Sequence, residues 1–282
     1  MSLEASINTL VQLAFEEDLG ERGDVTSEAT IPADRRLTGV ITAKAPGVIA
    51  GLTVVKAVYK RLDPTISVQF YVEDGTHVQP GDRIGEITGS GRSVLTGERI
   101  ALNFLQRLSG IATLAAAFVA AAGDSLIILD TRKTTPGWRL LEKYAVRIGG
   151  AQNHRMGLYD EVMIKDNHID AAGSITAAVK AARAYAKAEG LPIIVEVKDR
   201  QELREVLPLN VNRVLLDNFT EDQMREAVKL VGGRVPLEAS GNITLERIPA
   251  VAATGVDYAS AGALTHSAPA LDLSMRLSLA KD

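Results

Sequence analysis

The chain changes rhythm near Asp124. Before that point its hydrophobic positions follow two patterns. Ile7, Leu10, Val11 and Ala14 fall on one face of a stretch near Ser6 to Glu17, the spacing of an amphipathic helix. A loop rich in glycine and acid follows, with Asp24 and Thr26 as capping or turn residues. From Leu37 to Gly91 short β-rich runs are cut by Pro46, Gly47, Gly51 and a series of glycine turns. This predicts a small, mostly antiparallel sheet with one helix near Thr53 to Leu62. From Ser93 to Ala122 apolar residues recur at three and four, which predicts a helix with Gly110 inside it.

Beyond Asp124 short apolar runs end in polar residues and are followed by helical stretches. Six such runs are read at 126–133, 162–168, 193–199, 213–219, 235–242 and 258–264. The helical stretches include 174–189, 221–231 and 245–253, and the tail from Pro269 to Asp282 is read as one more helix. Alternating β and α with apolar strands predicts a parallel sheet. Polar residues placed always at the carboxyl ends predict a barrel, because barrel enzymes build their sites there. Six strands are two fewer than a complete barrel uses, so either two are hidden or the barrel is truncated.

Composition narrows the chemistry. The 282 residues suffice for one large domain or two ordinary ones. There is no cysteine, which excludes disulfides, thiolate nucleophiles and cysteine-bound zinc. The acidic start lacks the pattern of a secretory signal. The longest uncharged stretch, Leu108 to Gly123, is shorter than the roughly 20 residues a membrane helix needs. A cytoplasmic protein with no membrane partner is expected.

Charge then picks out one region. Between Thr131 and Lys165 stand seven basic side chains (Arg132, Lys133, Arg139, Lys143, Arg147, Arg155 and Lys165) and three acidic ones (Glu142, Asp160 and Glu161). The whole chain carries −4, so the surplus is local. It suits a small, strongly anionic ligand. Nucleic acid is not expected, since it would call for a domain that is basic throughout.

The strand ends supply Arg132 and Lys133, Lys165, Glu196, Asp217, Ser240-Gly241-Asn242 and Ala261-Gly262-Ala263. In a barrel these would face one mouth. Small-residue loops at the last strands expose N–H groups that suit a phosphate. Glu196 and Asp217 could hold a hard divalent cation, most plausibly Mg²⁺, together with substrate phosphates. They could equally pair with the lysines. His154 has no second histidine at metal spacing and is a candidate donor to a carboxylate. Gly149-Gly150 marks a mobile or tightly turned segment that would suit a loop over a ligand. Neither Lys44 nor Lys56 sits at a hairpin tip, which argues against a biotin- or lipoate-type carrier.

Long motifs add a resemblance. Asp130-Thr-Arg-Lys-Thr-Thr-Pro-Gly, Gly-Gly-Ala-Gln-Asn-His154-Arg-Met-Gly-Leu and Met163-Ile-Lys-Asp-Asn-His168 resemble quinolinate phosphoribosyltransferases, the decarboxylating enzymes of NAD biosynthesis. Glu98-Arg-Ile-Ala-Leu-Asn-Phe, Leu-Ser-Gly-Ile-Ala-Thr113, Leu216-Asp-Asn-Phe, Glu238-Ala-Ser-Gly-Asn and Ser260-Ala-Gly-Ala-Leu-Thr-His266 fit the same family, and the match spans nearly the whole chain.

The resemblance implies an N-terminal α/β sandwich over 1–105, with 266–282 returning to it, and an incomplete six-stranded α/β barrel over 106–265. It implies a homodimer in which Arg99 enters the partner's site. It implies quinolinate and phosphoribosyl pyrophosphate (PRPP) as substrates. Arg99, Arg132, His154, Arg155 and Lys165 would receive quinolinate, with Lys133 on the pyrophosphate and Thr131 a further substrate-binding residue. Glu196 and Asp217 would take ribose hydroxyls or Mg²⁺. Ser240, Gly241, Asn242, Ala261, Gly262 and Ala263 would cradle the 5-phosphate. Lys133, Glu196 and Asp217 would be catalytic. Rival readings are a same-fold pyrophosphorylase-like protein with another acceptor, a Schiff-base lyase barrel using Lys133 or Lys165, and a non-catalytic binding module.

Overall fold

The computed structural model describes residues 2–280. They fall into two compact units. One comprises the chain up to Ala116, the segment Thr135–Gly150 and the chain from Ala268. The other comprises Ala117–Thr134 and Ala151–Ser267.

The first unit is built on a four-stranded antiparallel sheet. Its order is Leu273–Leu279, Arg36–Ala43, Arg83–Ser90, Ser67–Phe70. Strand alternation buries Ile41 and Ala43, and Ile84, Ile87, Val58 and Tyr59 of the same unit are buried as well. The helix Leu52–Leu62 lies close to the predicted one.

The tail, expected as a helix, is instead the strand Leu273–Leu279 at the sheet edge; its last two residues lie outside those described. Leu273, Met275, Leu277 and Leu279 alternate with polar residues, which is the period of a strand. The helix Gly91–Ala122 holds the chain leading into that strand. Gln106 Nε2 donates to the Leu273 carbonyl at 2.7 Å, and the Leu271 N–H donates to the Gln106 carbonyl at 2.9 Å. Its long apolar run, which by length and composition alone could cross a membrane, is half buried within the protein.

Gly110 of this helix permits the close approach. A Cβ there would stand 2.0 Å from the Pro269 carbonyl oxygen, and backbone cannot move aside as a side chain can. Gly110→Ala is expected to cost about 1–3 kcal/mol by overpacking, read as a lowered denaturation midpoint with an unchanged slope.

The boundary also differs from the expected one. It falls inside the helix Gly91–Ala122, and Thr135–Gly150 joins the first unit although it lies between two barrel strands in sequence. The reason is specific packing. Trp138 stacks on Phe104 with centroids 4.8 Å apart. Buried Glu142 accepts from Arg107 Nη2 at 3.0 Å and from the Thr135 N–H and hydroxyl at 3.1 and 2.9 Å. Gly149 abuts the Ala112 carbonyl and serves close packing, while Gly150 takes the left-handed turn (φ 91°).

The second unit is a six-stranded parallel sheet. Its strands are β1 (Ile127–Leu129), β2 (Val162–Ile164), β3 (Ile193–Val197), β4 (Arg213–Asp217), β5 (Leu237–Ser240) and β6 (Tyr258–Ser260), and their spatial order is β1-β6-β5-β4-β3-β2. That is cyclic order with one break, between β1 and β2. On the β1 side of the break Gln152 pairs with the strand, as a parallel bridge to Leu129 and through backbone bonds with Ile128 and Asp130. All six predicted strands are present.

Outward residues such as Val195, Val197, Val214, Leu216 and Ala239 are fully buried, as are Leu203, Val206 and Met224 of the following helices. These helices start on side-chain caps: Ser174, Asp199 and Thr220 each accept from a first-turn N–H.

Candidate active site

Period-two alternation decides what the barrel interior holds. If Val214 and Leu216 face the helices, then Arg213, Leu215 and Asp217 face inward, and likewise Glu196 on β3 and Glu238 and Ser240 on β5. At the carboxyl ends these residues open onto one cavity of about 680 Å³. Its lining includes Thr131, Arg132, Lys133, His154, Arg155, Lys165, Glu196, Asp217 and Ser240 to Asn242, with Met163, Asn218 and Ser260.

Two predicted groups stand apart. Arg99 belongs to the first unit, where it is exposed, and does not line this cavity. Ala261, Gly262 and Ala263 form the turn entering the short helix Ala263–His266 behind the lining. Gly262 touches the Lys133 side chain: a Cβ there would lie 2.9 Å from Lys133 Cδ. Thr265 Oγ1 donates to the Lys133 carbonyl at 2.8 Å. This turn thus sets where Lys133 stands.

The basic side is anchored by Asp130, a fully buried carboxylate at the end of β1. It accepts from Asn153 Nδ2 at 2.7 Å and from the His154 N–H at 2.8 Å. These bonds hold the Asn153–Arg155 loop against Arg132. Arg155 is half buried; burial, then the charge of Arg132, lowers the pKa of its guanidinium below the ordinary value. Two like cations kept this close suit an anionic guest. Asp160 fixes the far side of the loop by accepting from the Met156 and Gly157 N–H groups at 2.6 and 3.1 Å. Burial opposes its charge, but the backbone donors keep its pKa below the usual carboxylate range.

Opposite the cations, Lys165 Nζ is ion-paired with Glu196 Oε2. Asp217 Oδ2 accepts from Asn218 Nδ2 at 3.1 Å.

The glycine-bearing loop after β5 is shaped by left-handed backbone at Asn218 (φ 56°), Gly241 (φ 85°) and Asn242 (φ 50°). Asn242 Nδ2 donates to Asn218 Oδ1 at 3.1 Å. A Cβ on Gly241 would fall 2.2 Å from that same oxygen. Arg247 donates to the Asn242 carbonyl at 2.9 Å while bound to Glu221. The loop is therefore built before any ligand arrives, with its backbone free to approach an anion.

Sequence reasoning missed the layer below. His154 is buried. Its Nε2 faces Glu238 Oε2 at 3.4 Å and its Nδ1 lies 3.6 Å from Glu161 Oε2. Arg213 reaches both carboxylates, at 3.3 Å to Glu238 and 3.5 Å to Glu161, and packs over the Tyr258 ring at 4.8 Å. The signal was available: Arg213 and Glu238 are charges in apolar strands, at the parity of Asp217 and Ser240.

Comparison with known proteins decides the family. Residues 24–109 match the model of the quinolinate phosphoribosyl transferase N-terminal domain, and residues 111–276 match its C-terminal domain. The chain belongs to the quinolinate phosphoribosyltransferase family.

Within that family it is 44% identical over 277 residues to a probable nicotinate-nucleotide pyrophosphorylase [carboxylating] of Bacillus subtilis, covering 98% of this chain and 95% of the relative. It is 44% identical over 288 residues to the mitochondrial quinolinate phosphoribosyltransferase [decarboxylating] 2 of Nicotiana glauca, covering 96% of this chain and 82% of the relative. The crystal structure of NadC from Streptococcus pyogenes superposes with a TM-score of 0.95 at 41% identity, covering 100% of this chain and 99% of that one. The open six-stranded barrel and the separate antiparallel sheet are thus the quinolinate phosphoribosyltransferase architecture.

Proposed function

We propose that the protein transfers phosphoribose from PRPP to quinolinate with decarboxylation, giving nicotinate mononucleotide, pyrophosphate and CO₂ for NAD biosynthesis. The observation that carries this reading is the single cavity itself. It gathers Arg132, Lys133, Arg155 and Lys165 on one side, Glu196 and Asp217 beside them, and the preformed Ser240–Asn242 loop. Two polyanions must meet there, and their repulsion must be offset.

Arginine forks match the two carboxylates of quinolinate. Arg132, Arg155 and Lys165 receive them, with Thr131 and His154 adjoining. The Ser240–Asn242 loop takes the 5-phosphate, backed by the Ala261–Ala263 turn. Glu196 and Asp217 face the ribose, where positive charge builds on the anomeric carbon as pyrophosphate leaves. Lys133 supplies positive charge to the departing pyrophosphate. The quinolinate nitrogen then bonds to that carbon, and the cationic ring draws electrons from the adjacent carboxylate, which departs as CO₂. No covalent enzyme intermediate is required.

Among the described residues no group of three or more His, Asp or Glu side chains forms a metal cage. A Mg²⁺ ion therefore fits as part of the PRPP substrate, shared with Glu196 or Asp217, since Mg²⁺ is commonly held by one or two carboxylates plus phosphates. Held by these residues, such an ion would supply positive charge that offsets the pyrophosphate. We further read the protein as a homodimer in which Arg99 completes the partner's quinolinate site.

The test is incubation with quinolinate, PRPP and Mg²⁺ followed by detection of the mononucleotide. Product is expected with quinolinate and not when nicotinate replaces it. EDTA is expected to abolish turnover, and full activity after chelation would remove the cation from the reaction.

A further inference from the structure

The loop after β5 presents a row of backbone donors with nothing to donate to. The N–H groups of Gly241, Asn242 and Ile243 have no acceptor among the described residues, although Ile243 itself is buried. A backbone N–H kept from water is costly to leave unpaired, so the loop suits a guest that accepts hydrogen bonds. The carbonyls of the same three peptide groups are all occupied. That of Ser240 accepts from the Asn218 N–H at 2.9 Å. Those of Gly241 and Asn242 both accept from Arg247 Nη1, at 3.4 and 2.9 Å. We propose that Arg247 is the positioning residue that turns this loop into an anion site, so that it governs affinity for the 5-phosphate of PRPP. The inference rests on the phosphoribosyl transfer proposed above.

The peptide geometry carries it. Every described peptide bond is trans, and a trans peptide points its N–H opposite to its C=O. Each tied carbonyl therefore fixes the direction of the N–H across its own peptide plane. The N–H groups of Asn242 and Ile243 accordingly point away from Arg247. Gly241 and Asn242 line the substrate cavity and Arg247 does not. The guanidinium thus acts from outside the pocket, through the backbone.

The loop also needs such a tie. Asn242 is left-handed at φ 50°, a conformation glycine adopts freely and other residues reach only at a cost. The bond from Arg247 to its carbonyl and the bond from its own amide to Asn218 offset that cost.

Arg247 is itself anchored. Its Nε and Nη2 both donate to Glu221 Oε1, at 3.0 and 2.9 Å. Glu221 opens the helix Glu221–Val231, where a carboxylate is favoured by the helix dipole. Arg247 therefore joins the segment after β4 to the loop after β5. Its charge is balanced by Glu221, so the phosphate meets oriented N–H dipoles rather than a bare cation.

Arg247→Met tests this, because it removes the donors and keeps much of the stem. Ribose 5-phosphate is the probe, with binding read by calorimetry. Its affinity should fall about tenfold, the scale of one lost hydrogen bond to a charged group, and the KM for PRPP should rise by a similar factor. Quinolinate affinity, measured in the same way, should not change. A merely structural role would weaken both ligands together. Arg247→Lys should recover part of the loss, since its ammonium can still donate to a carbonyl. Unchanged ribose 5-phosphate affinity in Arg247→Met, or an equal loss of quinolinate affinity, would overturn the proposal. If that variant does not fold, Glu221→Ala decides: it frees the guanidinium from its anchor and should weaken ribose 5-phosphate alone, and no such loss overturns the proposal. Wild-type enzyme that binds ribose 5-phosphate yet makes no mononucleotide would instead refute the activity and leave the role of Arg247 standing.

Discussion

Quinolinate-dependent CO₂ release is expected to fall at least tenfold, and toward a hundredfold, when Arg132 or Lys165 is replaced by alanine. Each substitution removes a charge-assisted contact, and a hydrogen bond to a charged group is worth roughly 1.5–3 kcal/mol. Both residues stand at strand ends on the cavity wall, Arg132 following β1 and Lys165 following β2, and both are only partly buried. The hydrophobic layer between strands and helices is untouched, so the thermal midpoint should move little. Lys165→Ala has a second consequence. It leaves Glu196, which has 14% side-chain exposure, without its ion-pair partner beside an incoming polyanion. Loss of PRPP binding should therefore accompany loss of quinolinate binding in Lys165→Ala and be weaker in Arg132→Ala. Near wild-type turnover in both variants would refute the assignment of these cations to quinolinate.

The second large effect concerns Arg99. It is exposed and outside the cavity of its own chain. If it serves a partner, Arg99→Ala should be nearly inactive alone, and so should Arg132→Ala. Mixing the two should restore activity. In a twofold dimer that exchanges chains at random, about one quarter of all sites would then combine an intact barrel with an intact Arg99. An inactive mixture, with chain exchange verified by mass spectrometry, would show that Arg99 does not act across an interface.

Much of the barrel was legible because its strands are short apolar runs with polar ends. Glu196, Asp217 and Ser240 stand where such runs finish, and the cavity collects all of them. The sandwich was less legible. Thr135–Gly150 lies among barrel strands in sequence, and only the Trp138–Phe104 stack and the Glu142 contacts show why it packs elsewhere. The Trp138–Phe104 stack and the Arg107–Glu142 pair join residues about 35 positions apart, beyond the reach of periodicity. The tail failed for a different reason. Its alternation from Leu273 to Leu279 is a strand pattern, but half of those apolar positions remain exposed on an edge. Arg213, Glu161 and Glu238 were overlooked because each alone reads as an ordinary surface charge. Only the inward parity of two strands and a connecting segment makes them a ring.

The break between β1 and β2 gives the rim a weak side. The two cation-bearing strand ends, one with Arg132 and Lys133 and the other with Lys165, border that seam, while the carboxylates and the anion loop stand on continuous sheet. Asp130, through Asn153 and His154, is the clasp that keeps one margin of the seam in place. Any widening of the mouth would therefore spread the positive margins apart, Lys133 on the pyrophosphate side among them, and leave the ribose-facing arc and the 5-phosphate loop undisturbed.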